Sequence, residues 1–312
     1  MANVTDTTKV GPAVDTYYDR LLLARAKPFQ IHNIAAQRRP LMANEGSTIK
    51  FRRYSNMTTA TTPLTEGISP AGQSLNVTDI TATVDQYGDY VTITDKVTYI
   101  VEDRVLNESM DLLGQQMGET VDELTRTVLE GAASVDNCSE GDNGGTPTEL
   151  SHSDIVRQVK TLMGNSAKMF VPKIPGTNQF GTEPVRAAYW VMAHTDLLDD
   201  LEAIDEFTSV ANYPKGGAIS DSEWGSVNNT RWLLSPLGSK SSDATPVYDC
   251  YVVGRDSYGV VELQKGISKS IYHALGHGDD PLEQRSTMGW KTFYVAKILN
   301  DNFMTRLRAT HS

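Results

Sequence analysis

The sequence predicts an α+β fold. Runs with period-two alternation and runs with helical spacing alternate irregularly along the chain, without regular strand-helix-strand repeats. At 312 residues the chain is long enough for about two domains. Its 39% hydrophobic and 21% charged residues are those of a globular protein with a sizeable core.

Residues 1–13 are polar and contain the Gly11-Pro12 breaker, which predicts a mobile arm. Val14, Tyr17, Tyr18, Leu21, Leu22 and Arg25 then recur at helical spacing up to Pro28, predicting a short amphipathic helix over Val14–Lys27. From Thr48 the period changes to two, with Ile49, Phe51 and Arg53 alternating against Lys50, Arg52 and Tyr54. A matching β-rich run covers Asn76–Thr94. Ile80, Ala82 and Val84 share one face, whereas Tyr87, Val91 and Ile93 fall on odd numbers, which predicts a bulge at Gly88.

Between these runs lies Met57–Leu75, MTTATTPLTEGISPAGQSL, rich in Thr, Pro, Gly and Ser, with almost nothing to bury. A loop of that length inside a folded domain is generally functional or disordered. Its ends are tied to paired strands, and a two-stranded ribbon without a core is only marginally stable in water. A second molecule is therefore the natural candidate to order it.

Arg104–Gly131 is the most regular element. Leu106, Met110, Leu113, Met117, Val121, Leu124 and Val128 build one apolar stripe, Asp103 is placed to cap the start, and Gly131 to end it. Such a helix is about 42 Å long. Its far face carries Glu108, Asp111, Glu119, Asp122 and Glu123, predicting a solvated acidic back. The Gly- and Asn-rich loop at 133–150 follows, and Ser151 caps a helix over Asp154–Met163.

Asn165–Pro184 and 205–227 read as irregular insertions, flanking a buried strand over Ala187–Ala193 and a short helix over Thr195–Ile204. Strands are expected at Thr230–Leu234, Tyr248–Val253, Tyr258–Leu263 and Ser268–Ala274. Two more fall in Arg285–Ala309, around the Asn300-Asp301-Asn302 turn signal.

The net charge of −11 argues against nucleic-acid binding through neutralised phosphates. The charge is uneven: residues 1–60 hold nine Lys/Arg against four Asp/Glu, and residues 101–150 hold two against twelve. Either the basic N-terminal arm lies against an acidic element, or the two are separately solvated surfaces. No apolar run is long enough for a membrane span or a secretion signal, so synthesis in the cytosol is expected. Cys138 and Cys250 fit neither a disulfide framework nor a metal spacing and are expected to be free thiols.

Catalytic chemistry finds few footholds. His194-Thr-Asp196 follows a buried strand, where an acid-base or metal function could sit, yet two ligands so spaced make no metal site and Thr195-Asp196 also serves as a helix start. His273 and His277 are four apart, but Gly276 and Gly278 break the helix that would place them on one face, leaving loop histidines. Asp136–Gly141 resembles a calcium loop only superficially, because position three is Cys138 and position twelve is Pro147. His152 and Ser153 sit at a helix cap. Phosphate-cradling glycine motifs and a nucleophile elbow are missing from the sequence. No cofactor is expected.

TIKFRRYS (48–55), ATTPLTEGISPAG (60–72), QYGDYVTITD (86–95), the long helix ending in VLEG, VVGRDSYGVV (252–261) and DPLEQRSTMGWKTFYVAKILND (280–301) follow one another in an order that resembles the major capsid proteins of tailed double-stranded-DNA bacteriophages, of the Hong Kong 97 fold. The resemblance runs from about residue 14 to 308. It implies an N-terminal arm (1–47), an extended β-hairpin loop (48–95), a peripheral domain with a spine helix (96–150), an axial domain (151–275) and return strands to the peripheral domain (276–312).

It also implies a non-enzymatic shell subunit that self-assembles into hexamers and pentamers of an icosahedral virion enclosing double-stranded DNA, without sequence-specific binding and without a membrane. In this family the loop reaches over a neighbouring subunit, so Pro63, Leu64, Thr65, Glu66 and Gly67 at its tip become the expected assembly contacts. Portal, scaffolding and decoration proteins are the partners such shells use, and assembly would take place in the host cytoplasm. A cellular nanocompartment (encapsulin-type) shell protein and an enzyme using His194 and Asp196 are the alternatives.

Overall fold

The computed structural model describes residues 30–41, 46–55, 57–64, 66–100, 105–170, 187–213, 218, 220–243, 245–263, 268–278 and 280–311. The arm at 1–13, the helix at Val14–Lys27, the cap at Asp103 and most of the Asn165–Pro184 insertion lie outside the described residues.

A five-stranded sheet is organised by one long strand. The strands in chain order are β1 (Gln37–Leu41), then a separate ribbon of β2 (Thr48–Tyr54) and β3 (Val77–Thr83), then β4 (Asp85–Thr94). Two helices follow, α1 (Asp95–Ile100) and α2 (Val105–Glu130). Strands β12 (Tyr258–Leu263) and β13 (Ser268–His273) pair antiparallel with successive stretches of the long strand β14 (Arg285–Ile298), and β1 pairs parallel with β12. Residues 287–292 of β14 pair with both β13 and β4, so those two strands flank opposite edges of it.

Helix α2 lies across this sheet and extends beyond it, as its 3.6-residue stripe requires. Met110, Leu113 and Met117 pack on Met288 and Trp290, Val121 on Val260, Tyr294 and Ala296, and Leu129 joins Tyr251, Tyr258 and Met304. Each of these fully buried side chains contributes about 1.5–3 kcal/mol of transfer free energy. Glu108 and Glu123 are exposed and Asp111 and Glu119 half-buried, but Asp122 is buried, contrary to the expected solvated back. The segment preceding β1 covers the helix at that point: Asp122 accepts the His32 backbone N–H at 2.7 Å and faces its Nδ1 at 2.6 Å.

The other large sheet has eight strands. It takes β5 (Val135–Asn137), β6 (Tyr189–His194), β7 (Phe207–Ser209), β8 (Glu223–Val227), β9 (Thr230–Ser235), β10 (Ser239–Lys240), β11 (Val247–Val253) and β15 (Met304–Thr310). Helix α3 (His152–Gly164) packs Ile155, Val159 and Leu162 into the same cluster as Val191, Trp232, Cys250 and Leu307. Its start is the expected one, with Ser151 Oγ accepting the Asp154 N–H. A short helix α4 (Leu198–Glu202) follows β6 through one 3-10 turn. Both cysteines are buried free thiols, and burial raises each above the ordinary thiol value.

Three expectations need correction. Gly88 carries no bulge: the β4 register on β14 runs unshifted from Asp85↔Tyr294 to Thr94↔Arg285. The phase instead changes at Val84, where the chain leaves the ribbon and enters the five-stranded sheet. Gly88 is there for space, since a Cβ would stand 2.6 Å from the Trp290 carbonyl oxygen. The 205–227 insertion is only partly irregular, because β7 and β8 extend the eight-stranded sheet, pinned by the buried Arg231–Glu223 pair at 2.7 Å. The loop at 133–150 likewise contributes β5, parallel to β15.

The last described residue ties the chain end to α4 through His311 Nδ1, 3.0 Å from Asp200 Oδ2. The hydrogen bond to Asp200 raises the His311 pKa above its ordinary 6.5. The pair therefore stabilises the fold below the unfolded-state value, and that contribution disappears as pH rises through the folded one. Being partly exposed, it should contribute less than about 1 kcal/mol. The thermal midpoint should fall slightly between pH 5.5 and pH 8 relative to a His311→Gln variant, which should lack this component.

Candidate assembly site

The ribbon β2–β3 projects as a finger whose base is fixed and whose far end is bare. Register runs from Thr48↔Thr83 to Tyr54↔Val77, and Ser55 N–H continues it to the Asn76 carbonyl. Beyond that, the Gln73 side-chain amide acts as a substitute rung: its Oε1 accepts the Thr58 N–H at 3.0 Å and its Nε2 donates to the Thr58 carbonyl at 2.9 Å. An exposed Arg52–Asp79 pair braces the strands at 2.9 Å, and this hydrogen bond lowers the Asp79 carboxyl from its usual value.

At the base, Phe51 and Ala82 are buried among Leu41, Val261 and Leu299. Gly259 makes room for the Phe51 ring, which a Cβ there would approach at 3.1 Å, and the Arg39 guanidinium lies 5.3 Å from its centroid. Two residues further along the same face, Arg53 Nη1 donates to Asn300 Oδ1 at 2.7 Å, at the turn between β14 and β15. Alternation identified the Phe51 face but not its distant partners, Val261 and Leu299, which lie more than 200 residues away.

All the described side chains from Met57 to Leu75 are exposed, Leu64 at 75% and Ile68 at 67%. Pro63, Leu64, Glu66 and Gly67 sit together at the tip, with Gly67 at φ +78° supplying the left-handed turn; Thr65 lies outside the described residues. Large apolar side chains held in water by an anchored ribbon make a candidate interaction surface rather than a core.

His194 and Asp196 are drawn together, but as a helix cap and brace. His194 Nδ1 accepts the Asp196 N–H at 3.1 Å, and burial lowers the imidazole pKa. Asp196 Oδ2 accepts from Lys240 Nζ and from the Tyr248 hydroxyl, each at 2.8 Å, and these bonds lower its carboxyl. A Cβ on Gly238 would stand 2.6 Å from the His194 backbone, so the strand end is tightly covered.

The 136–141 stretch is equally committed. Asp154 Oδ1 accepts the Ser139 and Gly141 N–H groups, and the Asp136 carboxylate accepts from Asn143 and Gln158. His152 Nε2 faces the Asn228 side-chain amide at 2.7 Å, with no serine nucleophile in that contact. Among the described residues, no three His, Cys, Asp or Glu side chains group as a metal site.

Two sheets linked by a long helix, with an anchored finger, match the architecture the resemblance implied, and comparison with solved structures agrees. The chain is similar to the capsid of Ralstonia phage GP4, with 15% identity over 89% of this chain and 87% of that one and a TM-score of 0.65. It is also similar to the capsid of Cyanophage P-SCSP1u, with 13% identity over 91% and 89% and a TM-score of 0.60. For the Cyanophage Pam1 capsid the identity is 15% over 92% of each chain, with a TM-score of 0.56. A search of curated protein sequences finds no match.

The fold is thus that of the tailed-phage capsids, the Hong Kong 97 type. The family model for phage capsid proteins matches residues 77–307, most of the chain. The chain belongs to that family and is a major capsid shell protein.

Proposed function

We propose that copies of this chain assemble into hexamers and pentamers of a closed icosahedral shell enclosing double-stranded DNA, built in the host cytoplasm and carrying out no catalysis. The observation that carries this reading is the finger: a base fixed by Phe51 and Arg53, and a tip whose described apolar side chains are bare. Such a tip gains stability only against a neighbour. The net charge of −11 supports the DNA reading, since a wall without excess positive charge would not trap phosphates.

In this proposal residues 1–47 form the arm, 48–95 the extended loop, 96–150 the peripheral domain with its spine helix, 151–275 the axial domain and 276–312 the return strands. The tip residues Pro63 to Gly67 make contacts between subunits. Portal, scaffolding and decoration proteins are the further partners the reading admits.

Replacing residues 63–67 with a short Gly-Ser link tests it. The variant should keep the circular dichroism and thermal midpoint of the parent while losing closed shells in electron micrographs and in sedimentation. Normal shells from the variant would overturn the role of the tip, and a parent chain that is monomeric in virions and infected cells alike would overturn the whole reading.

A further inference from the structure

Sequence spacing alone sets His273 and His277 apart, because the glycines between and after them forbid a helix. The structure brings them together by another route. Gly276 and Gly278 adopt left-handed φ of +78° and +75°, and His277 N–H closes on the Ala274 carbonyl at 3.3 Å. The chain doubles back so that the two imidazoles meet edge to face, 4.0 Å between centroids.

The turn is braced from below. Asp280 Oδ2 accepts the Arg285 N–H at 2.7 Å, the Glu283 N–H reaches the Asp280 carbonyl at 3.2 Å, and the Glu283 side chain fills the space beside Gly276. This frame fixes the backbone positions of both histidines. Among the described residues, neither ring has a hydrogen-bond or ion-pair partner. That separates them from His32, His152, His194 and His311, which are each engaged by a side chain or backbone group.

We propose that His273 and His277 form a two-histidine site for a borderline divalent transition ion, with Zn²⁺ or Ni²⁺ the fitting class. Imidazole nitrogen is the ligand such ions select over hard cations. Two imidazoles bound to one ion at metal–nitrogen distances of about 2.0–2.1 Å place their centroids roughly 4.5–5 Å apart. The observed pair, edge to face at 4.0 Å, is closer than that span, so the two rings must turn apart to take the ion between them.

His277 is exposed and His273 opens onto a groove of about 510 Å³ that also takes in Tyr90, Ile271 and Lys291. Water can fill the remaining coordination positions from that side. The nearest ammonium there, that of Lys291, lies over the Phe293 ring at 5.5 Å from its centroid, so part of its charge is already engaged. Two protein ligands make a readily exchanging site, suited to an ion that the turn takes up from solution.

The test is Zn²⁺ titration of the full chain by calorimetry, with circular dichroism to confirm that variants fold. About one ion per chain should bind. His273→Ala and His277→Ala should each weaken binding by at least the roughly tenfold loss that follows removal of a mere outer-shell partner, and His152→Ala should bind as the parent does.

An independent readout needs no variant. Zn²⁺ should protect His273 and His277 from diethyl pyrocarbonate, as read by mass spectrometry, while leaving His152 and His311 as reactive as before. Absence of saturable binding, binding by the two alanine variants equal to the parent's, or undiminished modification of both histidines would each overturn the proposal.

Discussion

Asp122→Ala should destabilise the protein by about 3–5 kcal/mol, the range for removing one partner of a buried, hydrogen-bonded pair. Asp122 and His32 are almost wholly inaccessible, at 1% and 0%. The carboxylate accepts the backbone N–H and the ring N–H of the same residue, so its loss leaves two buried donors without an acceptor. The surrounding groups cannot substitute. The Tyr258 hydroxyl is spent on the His32 carbonyl, and Thr125 and Tyr294 both bond to Asn33.

The loss should be visible in two places. The denaturation midpoint should fall, and amide exchange should accelerate over residues 31–36, because those residues reach helix α2 through this pair and the adjacent Asn33–Thr125 bond. Asp122→Asn keeps one acceptor but turns an NH₂ group toward a donor, and should fall between parent and alanine variant. A loss under about 1 kcal/mol for Asp122→Ala would mean that the pair is incidental to the fold.

The same residue shows what a sequence can and cannot reveal. The stripe from Leu106 to Val128 was legible because helical periodicity is local, and it located α2 to within one residue at each end. That Asp122 is buried was not legible, since the cover comes from residues 30–36, about ninety positions away. Strand β1 was missed for a related reason: QRRPL has three exposed residues, one of them a proline, tolerable only because it is an edge strand held by parallel pairing to β12.

Strands β5, β7 and β8 are short additions to sheet edges whose own sequences carry little alternation. The finger, by contrast, announced itself through what it lacks, a long Thr- and Pro-rich stretch with nothing to bury between two alternating runs. Its anchors required the fold, because Phe51 meets Val261 and Arg53 meets Asn300 only once the chain ends have returned. His194 and Asp196, flagged by their place after a buried strand, proved to be neighbours in a cap, which the Thr195-Asp196 helix start had already offered as the plainer account.

Phe51→Ala should carry the second largest effect, about 3–5 kcal/mol for emptying a buried phenylalanine site, concentrated at the base of the finger. The ring is 4% exposed, packed between the edge strand β1, β12 and Leu299, and against Gly259, which has no side chain to fill the gap it leaves. Phe51 is the largest side chain at that base; the others are the small Ala82 and the half-buried Ile49, Ile80 and Val84, and the Arg53–Asn300 bond is exposed, where a hydrogen bond contributes on the order of 1 kcal/mol. The ribbon has no core of its own, so losing Phe51 loosens it at its base, while the eight-stranded sheet and helix α2 on Met288 and Trp290, whose clusters do not include Phe51, keep their packing.

The expected signature is a split. Limited proteolysis should open the chain within 46–55 and 76–84, near-ultraviolet circular dichroism from the body should persist, and shell yield should drop steeply, because a tip that samples many directions pays the orientation entropy at every contact it makes. Arg53→Ala should show the same pattern at a fraction of the size. Shells forming from Phe51→Ala at the parental rate, with the finger base still protected, would show that the tip is positioned by its neighbour rather than by its own subunit.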